Sequence, residues 1–158
     1  QALRLIQHQL ELSSIHVQEH LEADLPLVDC DGAQIEQVLL ALLMNAIDAM
    51  PQGGNLWITS KSDAEAGQLR IVVRDDGAGI PPDILPRIFE PFQTTKETGR
   101  GVGLGLAISH SILERHNGTI AVQSEVGKGT TFTVTLPWEK EAAKSPTPKE
   151  MSAVLSGR

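Results

Sequence analysis

"QLRIVVRDDGAGIPP", Gln68 to Pro82, runs a β-rich apolar stretch straight into two carboxylates, two glycines and two prolines. Leu69, Ile71 and Val73 alternate in the manner of a half-buried strand. An ordinary hairpin needs one Asp-Gly pair, so charge and backbone freedom gathered at the end of this strand mark a site rather than a simple turn.

The neighbouring segments supply the rest of a sheet. "NLWITSK" (55–61) is a second strand, with "EAGQ" (65–68) suited to the turn between the two. "TIAVQSE" (119–125) and "TTFTVTLP" (130–137) form another pair joined by "VGKG", and "SSIHVQEHL" (13–21) makes one more strand. Two helices intervene. In "DGAQIEQVLLALLMNAIDAMP" (31–51), Asp31 with Gln34 resembles a capping box, Ile35, Leu39, Leu42, Ala46 and Met50 recur at helical spacing, and Pro51 stops the run. "GLAISHSILERHNG" (105–118) ends on Asn117-Gly118 as a C-cap. The order strand, helix, two strands, loop, helix, two strands predicts an α/β fold, a mixed sheet with helices packed on one face.

Composition narrows the function classes. Among 158 residues, 20 acidic side chains outnumber 13 basic ones for a formal charge of −7, and no Lys/Arg stripe tracks a duplex, so nucleic acid is not an expected partner. Cys30 is the single cysteine, which excludes an internal disulfide and a cysteine-pair zinc site. No stretch approaches the roughly 18–20 apolar residues of a membrane span. The chain reads as soluble and cytoplasmic, a piece of a longer protein that is open to membrane anchoring elsewhere. Residues 1–12 read as the tail of a preceding helix or linker, 13–138 as one domain, and 139–158 as a disordered tail rich in Lys, Glu, Ser and Pro.

"TGRGVGLGLAIS" (98–109) places four glycines in seven residues ahead of a helix. Such backbone lets amide N–H groups and the positive helix end approach a phosphate; it also suits a flexible loop capped by a helix. The two common phosphate cradles are excluded. Pro82 stands where a dinucleotide fingerprint needs its third glycine, and Val122 where a P-loop ending at Lys128 needs its first. Asn45 and Asp48 lie on a stripe beside the apolar face of the first long helix, and an amide there serves equally as a satisfied core polar group or as a ligand.

Taken together, "QVLLALLMNAIDAMP", "VRDDGAGIP", "RIFEPFQTTK", "GRGVGLGLAIS" and "GKGTTFTVTLP" resemble, in order and spacing, the N box, first glycine box, F box, second glycine box and final glycine motif of the catalytic ATP-binding domain of sensor histidine kinases. The wider superfamily includes gyrase, MutL and a class of heat-shock chaperones. The resemblance implies a two-layer α/β sandwich, with a mixed, mostly antiparallel sheet and helices on one face. It also implies ATP and Mg2+ as cofactors and transfer of the γ-phosphoryl group to a histidine, and it makes residues 1–12 the end of a dimerisation helix or linker and 13–138 the catalytic domain.

By the same resemblance Asn45 is the magnesium ligand bridging the triphosphate. An amide oxygen suits this hard cation. Asp75 accepts from the adenine amino group, Asp76 is solvated, and Gly77 and Gly79 let the backbone pass close under the base, with Ile80 beside them. Gly101, Val102, Gly103, Leu104, Gly105 and Leu106 form the phosphate-covering loop and helix start, Phe89 and Phe92 anchor its hinge, and Thr130 approaches the adenine through water or is an ordinary strand threonine. Gln93 to Val102, with little apolar anchoring, is expected to be poorly ordered without nucleotide.

Two departures stand out. Ala41 replaces the family's usual asparagine, where relatives that hydrolyse ATP carry a glutamate to activate water, and Asp48 replaces a common lysine. Lys96 is the candidate replacement cation and catalytic residue, or else a solvated lid charge. His8, His16, His20, His110 and His116 all lack the acidic and proline context of a phosphoacceptor. The implied partners are therefore the protein's own dimerisation and histidine-phosphotransfer domain, a response regulator receiver domain, and a second subunit in a full-length homodimer. The alternative class is a stand-alone ATPase or conformational switch like gyrase or MutL. A binding module without nucleotide affinity is disfavoured by the presence of Asn45, Asp75 and the glycines.

Overall fold

A computed structural model describes residues 1–93 and 103–138. Lys96, Gly101, Val102, all but the first residue of the expected lid, and the expected tail lie outside the described residues.

The elements are α1 (Ala2–Leu12), β1 (Ile15–Leu21), α2 (Gly32–Ala49), β2 (Gly54–Asp63), β3 (Gln68–Asp75), a short 3-10 turn at Leu85–Arg87, α3 (Gly105–Arg115), β4 (Thr119–Glu125) and β5 (Gly129–Pro137). The five strands form one sheet in the order β1-β2-β3-β5-β4. The whole of α2 lies between β1 and β2, which therefore pair in parallel, whereas the short turns after β2 and β4 return the chain antiparallel. β3 and β5 close the sheet antiparallel at its centre.

Alternation along the strands decides which face is covered. Leu56, Ile58 and Ser60 of β2 and Thr130, Phe132, Val134 and Leu136 of β5 are buried, while the residues between them are half-exposed. The helices pack on that buried face, α2 against β3 and β5, α3 against β4. The mixed, mostly antiparallel sheet with helices on one face is as the motifs implied.

α2 is the central helix. Its buried set, Ile35, Val38, Leu42, Leu43, Ala46 and Ile47, is wider than the single stripe expected from periodicity. The cause is α1, which packs across α2 and contributes Ala2, Ile6 and Leu10 to the same core, leaving Leu5 and Leu12 exposed. Among the described residues no helix is long and apolar enough to cross a membrane.

The caps follow the sequence with one change of partner. The Asp31 carboxylate accepts from the Ala33 and Gln34 amides at 3.0 and 3.2 Å. In a capping box the third residue's side chain returns to the backbone N–H of the cap; here the Gln34 amide donates to the Asp31 carboxylate instead, and the Asp31 N–H donates to His116 Nε2 at 3.0 Å. At the end of α3, Asn117 takes the left-handed conformation (φ 53) and the Gly118 amide donates to Leu113 O at 2.8 Å.

Leu42 has no exposed surface. Leu42→Ala is expected to cost about 2–5 kcal/mol, whereas Leu12→Ala on the open face of α1 changes stability by less than about 0.5 kcal/mol. Urea unfolding of the two variants measures the difference.

Candidate functional site

The turn after β3 is held by three other elements. Asp75 closes β3 with its side chain on the buried face and only 4% of its surface exposed. Its Oδ1 accepts from the Gly77 amide at 2.9 Å, an Asx-type turn, and from the Thr130 amide of β5 at 3.3 Å. Among the described residues nothing donates to Oδ2. Burial pushes the Asp75 carboxyl above the ordinary carboxylate value, against the lowering effect of those two amides and with a further push from the Asp76 charge.

Asp76 has the opposite environment and, contrary to expectation, is not simply solvated. Its two oxygens accept from the Asn55 backbone amide and the Asn55 side-chain amide, both at 2.8 Å. These bonds hold its carboxyl below the ordinary value. Gly54 makes room for this contact, since a Cβ there would stand 2.6 Å from Asp76 Oδ1 and from Met50 Sδ.

The glycines serve close packing of the protein on itself. A Cβ on Gly77 would lie 2.5 Å from Ala49 O at the end of α2, and one on Gly79, at φ +73, would collide with Glu125 O. Between them Ala78 donates to Ala49 O at 3.0 Å and accepts from the Gly127 amide at 2.8 Å. These contacts seat the turn against α2 and the β4–β5 hairpin.

The last turns of α2 bring Ala41 and Asn45 to the same region. Asn45 is half-buried and its side chain makes no hydrogen bond with a described residue. α3 begins against this helix: a Cβ on Gly105 would be 3.7 Å from Ala41 Cβ. Among the described residues no side chain caps the first turn of α3, which leaves its leading amides to other acceptors. Leu106 and Ile80 are half-buried against the core, and Leu104 is half-exposed just ahead of α3. Gly103, at φ +70, accepts from the Phe92 amide at 3.0 Å, which ties together the two ends of the 94–102 segment. Phe89 packs its ring 5.6 Å from that of His110. Phe92 is 69% exposed, so its ring is not buried, and its described contact with Gly103 is through the backbone.

Of the expected site residues, Asn45, Asp75, Gly77, Gly79, Ile80, Gly103, Leu104, Gly105, Leu106 and Thr130 thus lie on elements that converge around the end of α2. The sequence reading missed Ser124. Its hydroxyl meets the Ile80 amide at 2.8 Å, the Thr130 hydroxyl at 2.9 Å and Gly129 O at 3.0 Å. The signal was present, since Ile120, Val122 and Ser124 alternate inward along β4 and a hydroxyl at the third such position needs buried partners.

A family model described as histidine kinase-, DNA gyrase B-, and HSP90-like ATPase matches residues 30–140. The chain belongs to that family. Sporulation kinase E of Bacillus subtilis (strain 168) is 44% identical over 138 residues, which cover 87% of this chain and 18% of that protein. The nucleotide-free catalytic domain of histidine kinase ThkA superposes with a TM-score of 0.76 at 31% identity, covering 87% of this chain and 88% of that one. Full-length ShkA in complex with AMPPNP gives 0.77 at 30% identity, covering 90% of this chain and 29% of that one. The kinship read from the five motifs is borne out, and the chain spans a minor part of the sensor kinase it matches in sequence.

The paired carboxylates have opposite pH signatures. Asp75, raised by burial, favours the fold only when protonated; that gain is full below the unfolded value near 3.8 and is lost as pH rises through the folded value. Asp76, lowered by Asn55, stabilises above 3.8 and loses its effect as pH falls through its folded value. Asp75→Asn is therefore expected to raise the thermal midpoint of the nucleotide-free chain at pH 7, and Asp76→Asn to lower it by less than about 2 °C, because solvent screens the exposed Asp76 carboxylate. Both differences shrink toward pH 3 in a calorimetric pH series.

Proposed function

We propose that this domain binds ATP with magnesium and passes the γ-phosphoryl group to a histidine on a separate dimerisation domain, on the cytoplasmic side where ATP is available. The observation that carries the reading is the buried Asp75 carboxylate, with one oxygen held by backbone amides and the other left without a donor among the described residues. A buried acceptor of this kind fits an exocyclic amino group and suits adenine, whose amino group donates where guanine presents a carbonyl. AMPPNP in the related ShkA supports the same ligand class.

The phosphate end fits as well. The uncapped start of α3 offers amides and the positive end of the helix to an anion. Among the described residues no cluster of three His, Cys, Asp or Glu side chains gathers to bind a metal, which suits a magnesium ion held largely by phosphates and water. Asn45, half-buried and without a described partner, is the side chain assigned to it, and when bound the ion neutralises charge on the transferring group. Gly77, Gly79, Ile80 and Leu104 line the nucleotide in this reading, Gly101, Val102, Gly103, Gly105 and Leu106 belong to the phosphate loop and helix start, and Lys96 supplies the cation that Asp48 does not. Catalysis is then by positioning and charge neutralisation.

Position 41 supports transfer over hydrolysis. Ala41 turns a methyl group toward the start of α3, and a methyl group cannot take a proton from water. The product is instead a phosphohistidine, consumed by the receiver domain of a response regulator, and the full-length protein works as a homodimer.

Asn45→Ala is expected to cut phosphoryl transfer to a supplied dimerisation domain by at least about 100-fold, while metal-free ADP affinity changes by less than about threefold. Radiolabel transfer and calorimetry measure the two quantities. Unmutated chain alone should turn over ATP only marginally; rapid steady hydrolysis, indifferent to added acceptor domain, would place the domain with the gyrase-like ATPases.

A further inference from the structure

Ser124 sits at the meeting of the β3 turn and the β4–β5 hairpin, and its hydrogen bonds can be assigned by counting protons. A hydroxyl donates once. Gly129 O, a carbonyl, can only accept, and it lies 3.0 Å from Ser124 Oγ. The Ile80 N–H can only donate, and it reaches the same oxygen at 2.8 Å. The third contact, 2.9 Å to Thr130 Oγ1, has no proton assigned by geometry alone. All three bonds are made together only if Ser124 gives its proton to Gly129 O and Thr130 gives its own to Ser124. The Thr130 hydroxyl proton is then committed away from the neighbouring space, and its lone pairs remain.

Thr130 lies across β3 and β5 from Asp75. Arg74 pairs with Thr131 in the register, so Asp75 and Thr130 follow on the same buried face, and the Thr130 amide donates to Asp75 Oδ1. Both are nearly fully buried, at 4% and 5% exposure. The second Asp75 oxygen, to which no described residue donates, and the Thr130 hydroxyl are thus both acceptors on adjacent residues of paired strands.

We propose that Ser124 is a positioning residue for base selection: by taking the Thr130 proton it fixes Thr130 as an acceptor beside Asp75, and the pair favours a purine bearing an amino group over one bearing a carbonyl at the same ring position. This rests on the nucleotide-binding reading. Without Ser124 the Thr130 hydroxyl is free to rotate and donate, and a carbonyl-bearing base gains a partner that the unmutated chain denies it. A site whose polar groups are fixed in one sense rejects the wrong analogue because a buried group is left unpaired.

The test uses the full 158-residue chain and two probes, magnesium-ADP and magnesium-IDP, with calorimetry giving both affinities. The unmutated chain should prefer ADP. Ser124→Ala should reduce the ADP/IDP ratio by about tenfold, chiefly by improving IDP, and Ser124→Cys, which keeps the side chain's size with a weak donor and acceptor, should reduce it in the same direction. In a Thr130→Val background, Ser124→Ala should leave the ratio unchanged, because the hydroxyl it orients is gone. A purely structural Ser124, tying Ile80 to the hairpin, would weaken both nucleotides by one factor and leave the ratio alone; that result from either Ser124 variant overturns the proposal while nucleotide binding stands. Equal affinity of the unmutated chain for ADP and IDP overturns the adenine reading and the role of Ser124 with it.

Discussion

The peptide of Ala78 holds the site together. Its N–H is given to Ala49 O at the last turn of α2, and its C=O is taken by the Gly127 amide of the β4–β5 hairpin. One residue therefore fixes the end of the central helix, the turn after the central strand β3, and the hairpin at the sheet's edge. The two bonds, at 3.0 and 2.8 Å, join all three elements through a single residue. The buried carboxylate of Asp75 is positioned by this arrangement, and so is the hydroxyl pair of Ser124 and Thr130.

This explains which parts of the site were legible in the sequence. The strand, the turn and both glycines of the 68–82 stretch were readable because φ > 0 and close approach both exclude a side chain, and the five motifs fixed the family. What the glycines approach was not readable. Gly77 packs on Ala49 and Gly79 on Glu125, contacts between residues about 30 and 50 positions apart. Asp76 likewise looked solvated from its neighbours in sequence, and its partner Asn55 comes from the adjacent strand. α1 contributes Ala2, Ile6 and Leu10 to the core, which local periodicity could not reveal because it shows that a helix has an apolar face but not what covers it. Ser124 shows the opposite case, a polar residue at an inward position whose demand for partners was visible and went unused.

Two adjacent carboxylates with opposite environments divide the work of the turn. Asp76 is exposed and paired, so its charge is favourable and it secures β2 to the turn. Asp75 is buried and only half-satisfied, so its charge costs stability in the empty domain. Such a cost is what a binding site retains, because a donor from the ligand supplies the missing hydrogen bond and relieves it. The stabilising neighbour makes the destabilising one tolerable.

The far end of α2 is fixed by a separate set of bonds. His116 Nδ1 lies 2.7 Å from Ile112 O and Nε2 accepts the Asp31 N–H, so the ring's orientation is fixed between the two helices. Arg115 adds a bond to Gln34 Oε1 at 2.9 Å. The C-terminus of α3 is thus tied to the N-terminus of α2, which forces the two helices to run so that the start of α3 meets Ala41, one turn from Asn45. The small residues at that crossing let the uncapped amides of α3 stand close to the Asn45 side chain's helix face. The bonds of His116 and Arg115 at one end, and the close Gly105–Ala41 contact at the other, hold the two helices in register along their length.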